Sequence, residues 1–248
     1  MLIDTHCHIH ESYELPIQEV LDRAQEADVQ EYICVGTSQE SSRLAIEFAT
    51  KHPEAYAAIG VHPHDTEGGY GEISVLAGSS DKIIAVGEIG LDYFYTHSPK
   101  ELQLKALEDQ IQVALKHNLP IIFHVREAFD DFWPLFDKYP EIRGELHSFT
   151  DTKNNLDKAL ARGLYIGVNG ISTFTKDEDQ KAMFDSIPLD RILLETDAPF
   201  LTPAPFRGKV NEPAFVRNVA EFHANRRGIT LQEIADASTA NARKLFAI

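Results

Sequence analysis

Six short apolar runs in this chain each lead into a residue whose side chain binds metals well. Leu2-Ile3 leads to His6 and His8, Ile59-Gly60-Val61 to His62, and Ile83-Ile84-Ala85-Val86 to Glu88. Ile121-Ile122-Phe123 leads to His124, Leu146 to His147, and Ile192-Leu193-Leu194 to Asp197. Runs of this kind, rich in β-branched residues and without alternation, read as strands buried on both faces, as in parallel sheets. Strands that share a direction end on one rim, where imidazoles and carboxylates far apart in sequence converge.

Strand-like and helix-like segments alternate from end to end. Strands are predicted at 1–6, 31–35, 55–61, 83–88, 120–124, 144–147, 164–168 and 191–195, the number that closes a (β/α)8 TIM-type barrel. Amphipathic stripes lie between them: Ile17, Val20, Leu21 and Ala24; Leu44, Ala45, Phe48 and Ala49; Leu104, Leu107, Ile111 and Ala114. Helix starts are predicted at Ser98-Pro99-Lys100-Glu101, at Thr175 with Glu178, and at Thr230 with Glu233, each a capping-box pattern. A doubly wound sheet would place a glycine-rich turn after an early strand, where this chain has His-Cys-His. No linker or repeat interrupts the series, so a single α/β barrel domain over 1–248 is expected.

Composition narrows the function. A hydrophobic fraction of 43% over 248 residues fills a large core. No apolar run reaches membrane-spanning length, no leader is expected before the first strand, and Cys7 and Cys34 are too few for a disulfide framework. A cytoplasmic protein without membrane contact is the expectation. The formal charge of −16 opposes long-duplex binding, because phosphate affinity comes largely from a basic face. A phosphate substrate would need metal ions and a few local cations.

The sharpest local motif is Asp4-Thr5-His6-Cys7-His8. In an extended segment His6 and His8 point to one side and Cys7 to the other. A lone His-x-His is a weak signal, but Glu88, His124, His147 and Asp197 also terminate apolar strands, where an unpaired polar group would be costly. Six such side chains exceed the needs of one tetrahedral zinc. They suit two divalent ions (zinc, magnesium, manganese or similar), with Glu88 as the bridging carboxylate. Asp197 is placed to take the proton of a metal-bound water, leaving a hydroxide nucleophile at neutral pH.

These motifs have company in fixed order: Gly60-Val61-His62-Pro63, Gly87-Glu88-Ile89-Gly90-Leu91-Asp92-Tyr93, His124-Val125-Arg126, Leu146-His147-Ser148-Phe149 and Glu195-Thr196-Asp197-Ala198-Pro199. Arg207-Gly208-Lys209 and Asn211-Glu212-Pro213 follow. Together they closely resemble the TatD family of metal-dependent hydrolases, of the amidohydrolase superfamily. The resemblance implies a metal-dependent deoxyribonuclease, often 3′→5′ on single strands. It implies that His6, His8 and Asp197 hold one ion, that His124 and His147 hold the other, and that Glu88 bridges. Ala198 and Asn169 stand where many relatives have serine, which bears on substrate detail and not on ligation.

Substrate contacts are expected from His62, a catalytic candidate after its strand, and from its neighbour His64. Arg126 is read either as a phosphate clamp or as the partner of an acid. Arg207 and Lys209 lie in a Pro- and Gly-containing loop suited to gripping a phosphate. Asp92 and Tyr93 are expected to fix their loop, and Glu195 to orient a ligand histidine. Phe174, Phe129, Phe132 and Trp133 are candidates for base stacking, with helix packing favoured for the last two. His10, His52, His97, His117 and His223 are expected at the surface or in caps. The leading expectation is a two-metal deoxyribonuclease acting on single-stranded or frayed DNA ends. An amide, lactone or ester hydrolase of the same superfamily is the alternative, and a non-catalytic metal-binding scaffold the second.

Overall fold

Eight strands carry the chain's core: β1 (Leu2–Cys7), β2 (Val29–Val35), β3 (Ala55–Ile59), β4 (Ile83–Asp92), β5 (Ile121–Arg126), β6 (Gly144–Leu146), β7 (Tyr165–Val168) and β8 (Ile192–Leu194). They come from a computed structural model that describes residues 1–95 and 97–248. All eight predicted strands are present, in one sheet ordered as in the sequence and with helices between them. The pairings of β3 with β4, β4 with β5, β5 with β6 and β7 with β8 are all parallel. The architecture is the eight-stranded α/β barrel class that the apolar runs predict. Every residue of β1, β4, β6, β7 and β8 is buried, as two-sided covering requires. Among the described residues no helix is long and apolar enough to cross a membrane.

By its internal contacts the chain divides into two compact units, Met1–Ile33 with Ser148–Ile248, and Cys34–His147. In the first unit the helix Leu231–Phe246 opens on the predicted box, Thr230 accepting from the Glu233 amide and Glu233 reaching back to Thr230. The other two boxes differ from expectation. Asp177, not Thr175, caps the helix Glu178–Asp185, because its carboxylate accepts two backbone N–H groups at 2.9 and 3.1 Å. In the second unit the helix Lys100–His117 starts without a side-chain cap, since the Ser98 hydroxyl donates to the distant His64 carbonyl at 2.8 Å. That bond ties the helix entry to the loop after β3. Phe123 packs edge-on against Phe132 at 5.1 Å, and Phe132 against Trp133 at 5.0 Å. Phe129, Phe132 and Trp133 are therefore buried core and not base platforms.

Two of the histidines expected at the surface are buried. His10 lies near His8, with ring centroids 6.2 Å apart. His223 is fully buried, its Nε2 2.9 Å from the Ser172 hydroxyl. Burial, followed by the nearby Arg227 charge, pushes the His223 imidazole down from 6.5 to about 3. His223 is thus neutral in the fold, whereas the unfolded chain takes up a proton once the pH drops below the ordinary value. Its contribution to stability is complete above that value and is lost as the pH falls toward the folded one. Between about pH 7 and about pH 5 the loss is roughly 2 kcal/mol. In His223→Gln that part of the acid sensitivity should vanish, which denaturant midpoints at the two pH values will show. Equal pH dependence in both proteins would mean that the buried ring carries a proton.

Candidate metal centre

In the first unit, β1 delivers two imidazoles to the same side. His6 Nε2 stands 3.2 Å from His8 Nε2, while Cys7 turns away and donates to the Ile33 carbonyl. Asp197 Oδ1 completes the group, 3.2 Å from His8 Nε2 and 3.7 Å from His6 Nε2. The segment after β8 is held against β1 by backbone bonds from Asp197 N to His6 O at 2.8 Å and from His8 N to Ala198 O at 2.7 Å. Asp197 adopts φ +59°, a left-handed conformation that aspartate tolerates better than most residues. These three donors fit a cation. Ligands at ~2.0–2.1 Å around a tetrahedral ion lie roughly 3.3 Å apart. Two facing imidazole lone pairs and a carboxylate oxygen at such separations repel one another unless a proton or an ion lies among them.

Asp4, which the apolar pattern hides, secures this arrangement. It is fully buried, and its carboxylate accepts from the Thr196 amide at 2.9 Å, the Thr196 hydroxyl at 2.6 Å and the His6 amide at 3.3 Å. Burial pushes its carboxyl up to about 8 against the pull of those bonds. Glu195 is also buried and accepts from the Ser148 amide at 2.8 Å and from Asn169 Nδ2 at 3.2 Å. It thereby holds the backbone directly after His147. Gly167 makes room for it, since a Cβ there would meet Glu195 Oε2 at 2.3 Å.

In the second unit, β4 and β5 place the other donors. Gly90 pairs with His124 and Asp92 with Arg126, while the register shifts between Val86 and Ile89, the stretch that holds Glu88. Gly90 is required there: a Cβ would stand 1.7 Å from the His124 carbonyl oxygen. Glu88 Oε1 lies 2.9 Å from His124 Nδ1, 3.6 Å from His62 Nε2 and 3.7 Å from His147 Nε2. His62, Glu88 and His124 form a group of donors close enough to share an ion.

Hydrogen bonds separate their roles. The His64 amide donates to His62 Nδ1 at 3.1 Å, so a neutral His62 carries its proton on Nε2, toward Glu88. Burial, followed by the nearby His124, holds the His62 imidazole well below its usual range, which keeps it neutral. His62 is therefore built to donate a hydrogen bond. His124 is fixed the other way. Its Nε2 donates to Asp92 Oδ2 at 3.0 Å, so the proton shared with Glu88 at Nδ1, 2.9 Å away, is the one a cation would displace. Burial would lower the His124 imidazole, but the bonds to Asp92 and Glu88 outweigh it and raise it. Asp92 Oδ2 also meets His64 Nε2 at 2.9 Å, and Oδ1 accepts from the Phe94 and Tyr95 amides, both at 3.0 Å. Burial would raise the Asp92 carboxyl, yet its hydrogen bonds, chiefly with His124 and Tyr95, carry it well below the usual range. Asp92 thus fixes its loop as expected and also orients two histidines.

The expected substrate cations have other immediate partners. The Arg126 guanidinium carbon sits 3.9 Å from the Phe94 ring centre and 5.0 Å from that of Tyr95. Among the described residues Arg126 makes no ion pair, so the acid partner is not formed. Arg207 covers Phe174 at 3.8 Å and donates to the Thr202 carbonyl at 2.8 Å, and Lys209 lies 5.2 Å from the Phe206 ring centre. His97 is exposed, as expected, and it stacks on Tyr95 and meets His64 edge-on, at 5.6 and 4.8 Å.

Residues 3–247 match the family described as TatD related DNase. The chain is 38% identical to the metal-dependent hydrolase YabD of Bacillus subtilis over 255 residues, covering both chains fully. It is 35% identical to the 3′-5′ ssDNA/RNA exonuclease TatD of Erwinia tasmaniensis over 239 residues, 92% of each chain. The crystal structure of YjjV, a TatD homologue from Escherichia coli, superposes with a TM-score of 0.92 at 28% identity, covering 100% of this chain and 98% of that one. A family match over nearly every residue, a barrel shared with a TatD homologue and donor groups suited to cations agree with one another, and the chain belongs to the TatD-related family of metal-dependent hydrolases.

Proposed function

We propose that this hydrolase cuts phosphodiester bonds at the ends of single-stranded DNA, in the 3′→5′ direction, with two divalent ions bound. The observation that carries the reading is the close approach of His6, His8 and Asp197, whose donor atoms lie 3.2 to 3.7 Å apart. His6 and His8 would hold one ion together with Asp197, and Glu88, His124 and His147 would hold the other. Ions so held would supply Lewis acidity to a phosphoryl oxygen and lower the pKa of an attacking water. Asp197, with one oxygen turned to the histidines, would accept a proton from the attacking water on its carboxylate. His62 donates its Nε2 hydrogen to the charge that develops on the phosphate. An exonuclease relative at 35% identity over 92% of the chain supports the substrate class.

The test combines stoichiometry with turnover. Protein stripped with chelator and titrated with Mn²⁺ in a calorimeter should take up about two ions per chain. The loaded protein should shorten a 5′-labelled single-stranded oligonucleotide stepwise from its 3′ end, and more slowly as salt is added. The charge of −16 favours a small neutral substrate as the alternative, so amides and lactones belong in the same assay. Turnover of one of these with no shortening of the oligonucleotide would overturn the nuclease reading.

A further inference from the structure

Phe94 and Tyr95 are 48% and 42% exposed, among the few large apolar side chains this fold leaves in water. Their position is built and not incidental. Asp92 Oδ1 accepts both of their backbone amides, and Tyr93 N donates to the Arg126 carbonyl at 3.0 Å, continuing the pairing of β4 with β5. The two rings meet edge to face, with centroids 4.7 Å apart and planes at 87°. Arg126 is exposed and lies over both of them. In a chain with sixteen surplus negative charges, a guanidinium that pairs with rings and not with an acid keeps its N–H groups for another anion. The cluster also borders the metal donors. The Tyr95 ring lies 5.4 Å from that of His64, and the Asp92 carboxylate that supports both aromatic amides touches His124.

A nucleotide matches this surface in chemistry: a flat π face, with a phosphate attached a few bonds away. A protein partner would need a broader apolar area than two rings. From this juxtaposition we infer that Phe94, Tyr95 and Arg126 form a subsite for a nucleotide of a single-stranded polynucleotide, its base stacked on the rings and its phosphate held by the guanidinium. The inference rests on the nuclease reading above and adds to it how the strand is gripped. Stacking of this kind is tolerant of sequence, because every base offers a π face.

The test measures binding apart from cleavage. Mn²⁺-loaded protein is titrated into a fluorescent oligothymidylate with phosphorothioate linkages, which resists hydrolysis, and into an abasic strand of the same length and charge. The wild-type protein should bind the base-bearing strand about tenfold or more tightly than the abasic one. Phe94→Ala/Tyr95→Ala should lose that advantage, binding both strands alike, and Phe94→Trp/Tyr95→Phe should restore it. The abasic comparison uses no variant, so a folding defect in the double variant leaves the subsite open to refutation. A wild-type protein indifferent to the missing bases overturns the subsite, as does a double variant, shown folded by its melting curve, that keeps the tenfold preference. Cleavage without that preference sinks the subsite and leaves the nuclease standing. Binding with the preference, but no cleavage of an unprotected strand, does the reverse.

Discussion

Asp197→Asn is expected to lower turnover of a single-stranded oligonucleotide by roughly 10²–10⁴-fold, the range for loss of a general base. The substitution is a clean one. Asparagine has the same shape and also tolerates the left-handed backbone that Asp197 adopts at φ +59°. The bonds from Asp197 N to His6 O and from Phe200 N to Asp197 O involve only the main chain and survive. An amide oxygen can still approach His8 Nε2, as Oδ1 does at 3.2 Å, so the neighbourhood keeps its form while the proposed proton acceptor is lost. Rates are read in single turnovers at saturating Mn²⁺, which separates weaker ion binding from slower chemistry. A variant that holds its ions and turns over at the wild-type rate would show that Asp197 only ligates. Glu88→Gln should be similarly inactive if, as proposed, its charge holds an ion beside His124.

How far this site could be read from the sequence depends on how local its causes are. The strand ends were legible because burial on both faces leaves an unbroken apolar run, and a polar residue at its end stands out. His8 and His147 directly follow β1 and β6, and Asp197 lies three residues past Leu194; Glu88 and His124 follow their apolar runs but sit inside β4 and β5, which continue to Asp92 and Arg126, and His6 lies within β1. The residues that hold them do not stand out in this way. Asp4 sits inside a strand pattern, and its main partner, Thr196, is 192 positions away. Asp92 resembles a loop-fixing residue, which it is, yet its second oxygen serves His64 and His124, 28 and 32 positions distant. Helix caps divide in the same way. The Thr230–Glu233 box closes within three residues and was readable, whereas the Ser98 hydroxyl is drawn to a carbonyl 34 residues back. Burial of His10 and His223 is likewise a product of tertiary packing, invisible where no apolar run leads up to them.

Asp92 gives this distinction a measurable consequence. In Asp92→Asn the retained oxygen should go on accepting from the Phe94 and Tyr95 amides, which are the geometrically fixed donors. The new amide nitrogen then faces His64 and His124, and it can only donate. His124 would have to accept at Nε2 and so carry its proton on Nδ1, the nitrogen now 2.9 Å from Glu88. A protonated Nδ1 cannot ligate. Binding to the donor set of Glu88, His124 and His147 should weaken by about 10–100-fold, while binding to His6, His8 and Asp197 stays as it was. Calorimetry should therefore show one Mn²⁺ step unchanged and one displaced, with ¹⁵N shifts of the His124 ring reporting the exchanged tautomer. Two unaltered steps would mean that Asp92 merely shapes its loop. A selective loss at one step would mean that a carboxylate which touches no ion sets which nitrogen of His124 is offered to one.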